Sequence, residues 1–512
     1  MTRSSAARAV EGHPDRWKIL AVLCAALSIV VLDNTILSVA VPSIGNDLGA
    51  SESELQWIVA AYGLVLAGLL LPLAGIGDRT GRRRLLLLGV AGFGLASAGA
   101  AMATSAGPLT VARGLLGIGG AATMPATLAI LGNVFPEHER ARAIALWSGV
   151  SGVAAAAGPV VGGVLLEHFW WGSVFLVNVP VTIAVFVAAW ILVPDSRDPA
   201  TPRMDLAGSA LWTVALVLVL FAVIEGGERG WTSPEVLLGA AAGLTLLGGF
   251  AWWERRTDHP LLAPSAVADP RMQAGMVVVP VLFFAVFGLQ FILTQWLQGV
   301  QGLTPLEAGA CFVPHALAVV VASISSTKFV ARVGLARTVA IGVGVMVVAL
   351  LVALVGHESV PPIVLAVALL GLGVGLACPP GVELIMGSVH PDQAGQAAGI
   401  NETIVEAGGA LGVAVLGSVL GAAAGGAGRI SPEQLVGPDA AAAQQRFTDA
   451  LGAPMLTAIG VLLFGAVVVL RRTRGTAAAV PPVDPPGTGV ADGAMFSGEA
   501  DPPPVGAPTT GS

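Results

Sequence analysis

Long apolar runs separated by short polar loops set the pattern of this chain. The runs fall at 17–42, 55–77, 84–105, 108–134, 141–166, 174–193, 206–225, 235–254, 273–298, 306–326, 338–356, 361–388, 394–421 and 452–470. At 1.5 Å per residue, runs of about 20 residues span the roughly 30 Å hydrocarbon core of a bilayer. The pattern therefore predicts an all-α polytopic membrane protein with fourteen transmembrane helices. The first run is too long for a signal-peptide core and is expected to be retained. Residues 1–16 read as a short polar arm. Residues 471–512, rich in Pro, Gly and Ala, read as a disordered cytoplasmic tail. The longest loop, 422–451, is polar and Ala-rich and is expected to carry a short surface helix.

Composition removes other classes. Hydrophobic residues make up 55% and charged residues 11% of 512 positions, which excludes an ordinary soluble enzyme. The net charge of −7 says little, because the charges are sorted by side. With fourteen spans both termini share a side, and that side carries 21 of the 25 Lys and Arg residues. Arg229, Arg429 and Arg446 lie opposite, and Arg113 lies within a span. The positive-inside rule then puts both termini in the cytoplasm of a multi-pass protein of a bacterial cytoplasmic membrane. The dominance of Arg over Lys, with much Ala, Gly and Val, points to a high-GC bacterium. Cys24, Cys311 and Cys378 have no metal-ligand or disulfide spacing and read as small core residues. Trp17, Trp57, Trp170, Trp171, Trp231, Trp252 and Trp253 fall near span ends, as interfacial anchors do.

An internal repeat organises the spans. Gly117, Gly119 and Pro125 recur as Gly371, Gly373 and Pro379, and Gly158 and Gly163 recur as Gly412 and Gly417, all at an offset of 254. Duplicated halves are a common transporter design. The reading is an arm (1–16), a first six-helix bundle (17–205), two inserted helices (206–254), a second six-helix bundle (255–470) and a tail (471–512).

Several residues carry candidate chemistry. Asp33 lies in the first apolar run, where an acid costs about 2.5–3.5 kcal/mol at the bilayer centre and is by default functional. Arg113 enters the fourth run at a similar depth, so an ion pair or a shared water network is open to the two. Burial disfavours a charged carboxylate and a nearby guanidinium favours it, so a proton-loading site must balance the two effects. The alternative is a static intramembrane salt bridge. Glu402 and Glu406, one turn apart in the thirteenth run, resist joint ionisation. They either bind protons or simply face a wet cavity, and Asn401 stands beside them. His315 either relays protons or packs through a hydrogen bond. Gln290, Gln295 and Gln298 either line a cavity or bond between helices. Glu225 begins a loop and is expected to be solvated.

Two motifs add family information. The loop Ala74-Gly-Ile-Gly-Asp78-Arg79-Thr-Gly81-Arg82-Arg83-Arg84 pairs an acid with a tight turn and a basic run, which suits clamping helix ends and meeting lipid phosphates. The fifth run holds Gly152, Gly158, Pro159, Gly162 and Gly163, small residues that let helices approach closely around a proline. The loop resembles the signature of the major facilitator superfamily, with Ala74 where that family's first glycine usually stands. The fifth run resembles the antiporter motif of its exporters. Leu32-Asp33-Asn-Thr35 through Pro42, with Ala112-Arg113 and Phe135-Pro136, is similar to the fourteen-helix drug:proton antiporter branch. The resemblance covers about 17–470. It implies the major facilitator fold and proton-coupled efflux of small amphipathic or cationic drug-like compounds, conferring drug resistance. Asp33, Arg113, Glu402 and Glu406 would be the coupling and substrate residues, and Asp78, Arg79, Gly81, Arg82 and Arg83 a gating loop. Gln290, Gln295, His315 and Asn401 would line the cavity. The proton gradient would be the energy source with no bound cofactor. Lipids would be partners, and neither nucleic acid nor an enzymatic reaction is expected. Other readings are a dedicated exporter of a self-made antibiotic or metabolite, and a membrane-embedded sensor or lipid-handling protein.

Overall fold

The computed structural model describes residues 13–197, 205–257, 268–389, 394–424 and 440–473. The expected arm up to residue 12, the tail from 474 and residues 425–439 of the 422–451 loop lie outside the described residues. Among those described, fourteen helical segments are long and apolar enough to cross a membrane.

The first half comprises α1 (Arg16–Leu48), α2 (Glu52–Thr80), α3 (Arg82–Ala101), α4 (Ala106–Val134), α5 (Glu137–His168), the short α6 (Ser173–Leu176) and α7 (Asn178–Leu192). The inserted pair is α8 (Leu206–Arg229) and α9 (Pro234–Glu254). The second half comprises α10 (Pro270–Gln295), a π turn (Trp296–Val300), α11 (Pro305–Ala310), α12 (Val313–Val333), α13 (Leu335–Gly356), α14 (Val360–Met386), α15 (Ala394–Ala423), α16 (Ala440–Ala450) and α17 (Gly452–Arg472). α16 is the surface helix anticipated in the 422–451 loop.

Local chemistry decides where helices stop. The first run is not terminated at Pro42: α1 continues to Leu48, with Pro42 inside it. Proline removes one donor and leaves the remaining ladder intact. α1 ends where Gly49 takes φ +60°, a left-handed cap. Ser51 and Glu54 then form a reciprocal capping box that starts α2. The end of the molecule that carries both termini is called here the terminal end, and the opposite one the distal end.

The repeat is visible in backbone contacts. A Cβ on Gly89 of α3 would lie 3.0 Å from the carbonyl oxygen of Gly119 of α4. The crossing of α13 and α14 repeats this: a Cβ on Gly342 would lie 2.6 Å from the Gly373 carbonyl. In each half two helices meet backbone to backbone because glycine leaves no side chain between them.

The halves also meet each other. Toward the distal end, Gln290 of α10 donates to the Ser38 hydroxyl of α1 (3.0 Å), and Gln298 of the π turn donates to the Val39 carbonyl (2.9 Å). Gln295 donates to Glu52 of α2 (3.4 Å). Gly163 of α5 lies against the backbone of Pro305 and Leu306, and Gly309 against the Pro159 carbonyl. Toward lipid, apolar side chains are bare: Leu95 is 76% and Val355 is 87% exposed. Trp170, Trp231 and Trp252 are exposed near helix ends, whereas Trp171 is buried.

One expectation is corrected here. Glu225 is not solvated: it is buried, accepting from Trp57 Nε1 of α2 (3.2 Å) and from Arg229 Nε one turn on (2.6 Å). α8 continues beyond 225 and turns this acid onto α2 rather than into a loop.

Candidate functional site

Asp33 is fully withdrawn from the surface in the middle of α1, and three elements converge on it. Its Oδ2 lies 2.6 Å from Arg113 Nη1 of α4, and its Oδ1 accepts from Asn178 Nδ2 of α7 at 2.7 Å. Both charged side chains are buried, at 1% and 0% exposure. Arg113 Nε donates to the Ile58 carbonyl of α2 (3.1 Å), and its guanidinium lies 4.5 Å over the Tyr62 ring. Tyr62 in turn donates its hydroxyl to the Val30 carbonyl (3.1 Å). Among the described residues Arg113 Nη2 finds no hydrogen-bond partner.

The glycines of α4 explain how so large a ring fits. A Cβ at Gly117 would lie 2.6 Å from the Tyr62 carbonyl, and one at Gly120 would lie 3.1 Å from its hydroxyl. Thus the Gly-rich run after Arg113 carves the space for the aromatic partner of Arg113 itself. Desolvated charges are tolerable only when paired and hydrogen-bonded, and this network supplies both conditions.

Beside it lies a cleft between the halves. Asn34, Thr35 and Ser38 of α1 and Ala60 and Gly63 of α2 line one side. Phe287, Gln290 and Phe291 of α10 and Glu406, Gly409 and Ala410 of α15 line the other. Glu406 rests against Gly63, where a Cβ would meet its Oε2 at 2.7 Å. Asp33 itself does not line the cleft; its neighbours Asn34 and Thr35 do. Two aromatic faces, one carboxylate and several amides and hydroxyls suit a flat apolar body with a positive or hydrogen-bonding end.

The structure sorts the remaining sequence candidates. Gln290 lines the cleft, whereas Gln295 turns to Glu52 and not to the cleft. Glu402 lies one turn from Glu406 and outside the cleft lining, and Asn401 is buried with its Oδ1 unpartnered. His315 Nδ1 bonds the Val367 carbonyl (3.1 Å), an interhelical contact within the second half.

In the fifth-run motif, Gly158 lies against Thr35 and the Ile36 amide, Gly162 against the Ile36 carbonyl, and Gly163 against Leu306. Pro159 lies inside α5 and its carbonyl meets Gly309. Gly152 departs from the expectation of close helix approach: a Cβ there meets nothing within 4 Å.

In the loop between α2 and α3, Arg79 closes the last turn of α2, and Gly81 has φ +128°. Asp78 pairs with Arg82 (2.7 Å), whose amide donates to the Ser196 carbonyl (3.0 Å). Arg83 donates to the Trp190 carbonyl near the end of α7 and stacks on the Trp190 ring. Carbonyl ends are thus met by this basic run.

Asn178 was not singled out by sequence reasoning. Its signal is an amide at the start of an apolar helix, in Val177-Asn178-Val179-Pro180. Glu52 and Tyr62, the single tyrosine of the chain, are further buried polar groups of α2 to which the sequence assigned no role.

Comparison with known proteins adds a family. Residues 23–413 match the profile of the Major Facilitator Superfamily. Multidrug resistance protein Stp of Mycobacterium tuberculosis is 34% identical over 415 residues, covering 80% of this chain and 77% of that protein. Puromycin resistance protein pur8 of Streptomyces alboniger is 36% identical over 414 residues, covering 79% and 82%. The crystal structure of a bacterial homolog of the human lysosomal transporter Spinster shares the fold, with a TM-score of 0.65 at 18% identity over 90% of this chain and 97% of that one.

Proposed function

This chain belongs to the major facilitator superfamily and is a multi-pass membrane transporter rather than an enzyme, and we propose that it is a proton-driven exporter of small amphipathic, often cationic, drug-like compounds. The observation that carries the reading is the buried Asp33–Arg113–Asn178 network standing one residue from a cleft between the two halves. Relatives named for multidrug and puromycin resistance support the substrate class.

In this reading the termini face the cytoplasm of a bacterial inner membrane, as the side-sorted Arg and Lys residues support. The distal contacts are then the external closure, and substrate loads from the cytoplasmic side. Phe287 and Phe291 hold its apolar body and Glu406 its positive end. When the halves rock open to the outside, a proton taken up by Asp33 or by the Glu402/Glu406 pair weakens that hold, and the substrate leaves. Return to the inward state releases the proton to the cytosol. Arg113 keeps Asp33 oriented and receives it again on deprotonation. A 100 mV potential supplies about 2.3 kcal/mol per net charge moved, close to fiftyfold accumulation. The gradient is the energy source, and no bound cofactor takes part.

The test is a panel of dyes and antibiotics in a pump-deficient bacterial host. Wild type raises resistance, and an uncoupler abolishes it. Asp33→Asn loses both export and proton dependence at equal protein level. Unchanged resistance in Asp33→Asn, or export indifferent to the uncoupler, refutes the coupling role. A narrow response, to one compound alone, would favour a dedicated exporter of a self-made antibiotic or metabolite, the second reading that a relative named for puromycin alone supports.

A further inference from the structure

Of the two inserted helices, the first packs directly behind residues that line the cleft. α8 packs across the seam where α2 of the first half meets α15 of the second. Its Leu216, Leu220 and Ile224 are buried in one apolar cluster with Leu64, Ala60 and Ala410. Polar contacts fix it at both flanks. Trp57 Nε1 donates to Glu225 (3.2 Å), and the Ser418 hydroxyl of α15 donates to the Val223 carbonyl (3.0 Å). Gly68 of α2 accepts the side chain of Thr213 against its backbone.

Two of those cluster residues, Ala60 and Ala410, also line the cleft. Each is an alanine, so neither offers a side chain larger than a methyl group at the cleft wall that α8 backs. The antiparallel pairing of Trp57 with Glu225 and of Gly68 with Thr213 sets Leu220 level with Ala61 and Tyr62, within about 3 Å along the axis of Ala60. α9 stands behind: its Gly239 and Gly243 dock on Phe221 and Val219 of α8, while Leu238 is 70% exposed on the far side. The pair thus has an inner helix on the cleft and an outer helix toward lipid.

We propose that α8 is a wall of the transport cleft: it seals the α2–α15 seam against lipid and, through Leu220, sets the width between Ala60 and Ala410 that a substrate meets. The width half of this statement rests on the cleft being the export site; the seal does not. A helix laid across the joint of two moving halves and backed by a second helix can hold that seam while the opposite side of the cleft remains free of it. Since one or two methylene contacts discriminate ligands about tenfold, a change behind a wall of alanine methyl groups is felt by substrates of different width.

Two measurements on the full-length protein in proteoliposomes test it. The first follows labelling of Ala410→Cys, in a chain with Cys24, Cys311 and Cys378 replaced, by bilayer-dissolved pyrene maleimide. Adding Leu220→Ala speeds labelling several-fold, whereas adding Leu238→Ala on the lipid face of α9 leaves it unchanged. The second compares export of ethidium with that of the wider rhodamine 6G. Leu220→Ala shifts the kcat/KM ratio toward the wider dye by about fivefold, and Leu220→Phe shifts it the other way. Equal labelling with and without Leu220→Ala overturns the seal, and an unchanged dye ratio in the face of wild-type export overturns the width role. If Leu220→Ala does not fold, Ser418→Ala, which removes only the bond to the Val223 carbonyl, carries the labelling test with the same expected direction. If wild type moves neither dye, the export reading falls, and the labelling still decides whether α8 is the wall.

Discussion

A carboxylate in an apolar helix is costly, and Asp33 shows how the cost is offset. Its two oxygens are taken by Arg113 and Asn178, while Tyr62 covers the guanidinium. Removing the cation and removing the anion are therefore unequal changes. Arg113→Ala strands a buried carboxylate and is expected to destabilise the protein by about 3–5 kcal/mol. Asp33→Asn strands a buried guanidinium that cannot shed its charge, whereas an unpaired Asp33 can take a proton, so Asp33→Asn is expected to cost more. Thermal unfolding in detergent micelles checks this order; equal shifts for the two variants would mean that the pair is not the stabilising unit. Asp33 and Arg113 were legible in the sequence because any charge in an apolar run is conspicuous. Their partner Asn178 was not, since a lone amide beside Pro180 reads equally as a helix start. Nor does spacing reveal that Gly117 and Gly120 serve Tyr62, because that relation exists only once α2 and α4 lie side by side.

At the scale of elements, hydropathy placed the spans and missed their ends. The run was read as stopping at Pro42, yet α1 continues to the left-handed Gly49, and α10 finishes in a π turn that no periodicity announces. Ends depend on single caps and on contacts across the halves, such as Gln298 on the Val39 carbonyl. The fifth-run motif divides in the same way. Gly158 is pressed onto Thr35 and Ile36, while Gly152 faces open space. Gly158→Leu is expected to abolish export, because even one or two extra methylenes in a packed contact cost about 1–3 kcal/mol. Gly152→Leu is expected to leave export near wild type. Growth on a toxic dye, normalised to protein in the membrane, separates the two; a Gly152→Leu loss equal to that of Gly158→Leu would make the motif a uniform seam after all.

For the whole molecule, positions 253 and 254 apart meet in the same way, at the Gly89–Gly119 and Gly342–Gly373 crossings. The distal closure was not legible, because Gln290, Gln295 and Gln298 gave no sign of which would face the cleft and which the other half. If that closure must open in each cycle, tying it shut stops transport. A Ser38→Cys/Gln290→Cys pair, bridged by a short bifunctional thiol reagent, is expected to block dye export, and the unbridged pair to retain it. Full export with the bridge in place would show that the distal contacts stay closed throughout. The glycine crossings carry one more consequence. Helices joined backbone to backbone do not flex where they touch, so each half behaves as a stiff beam and motion is left to the joint between the two. A stiff beam on one pivot cannot lift both of its ends. When one mouth widens the other must narrow, no continuous water column forms through the protein, and ion gradients across the membrane are not short-circuited.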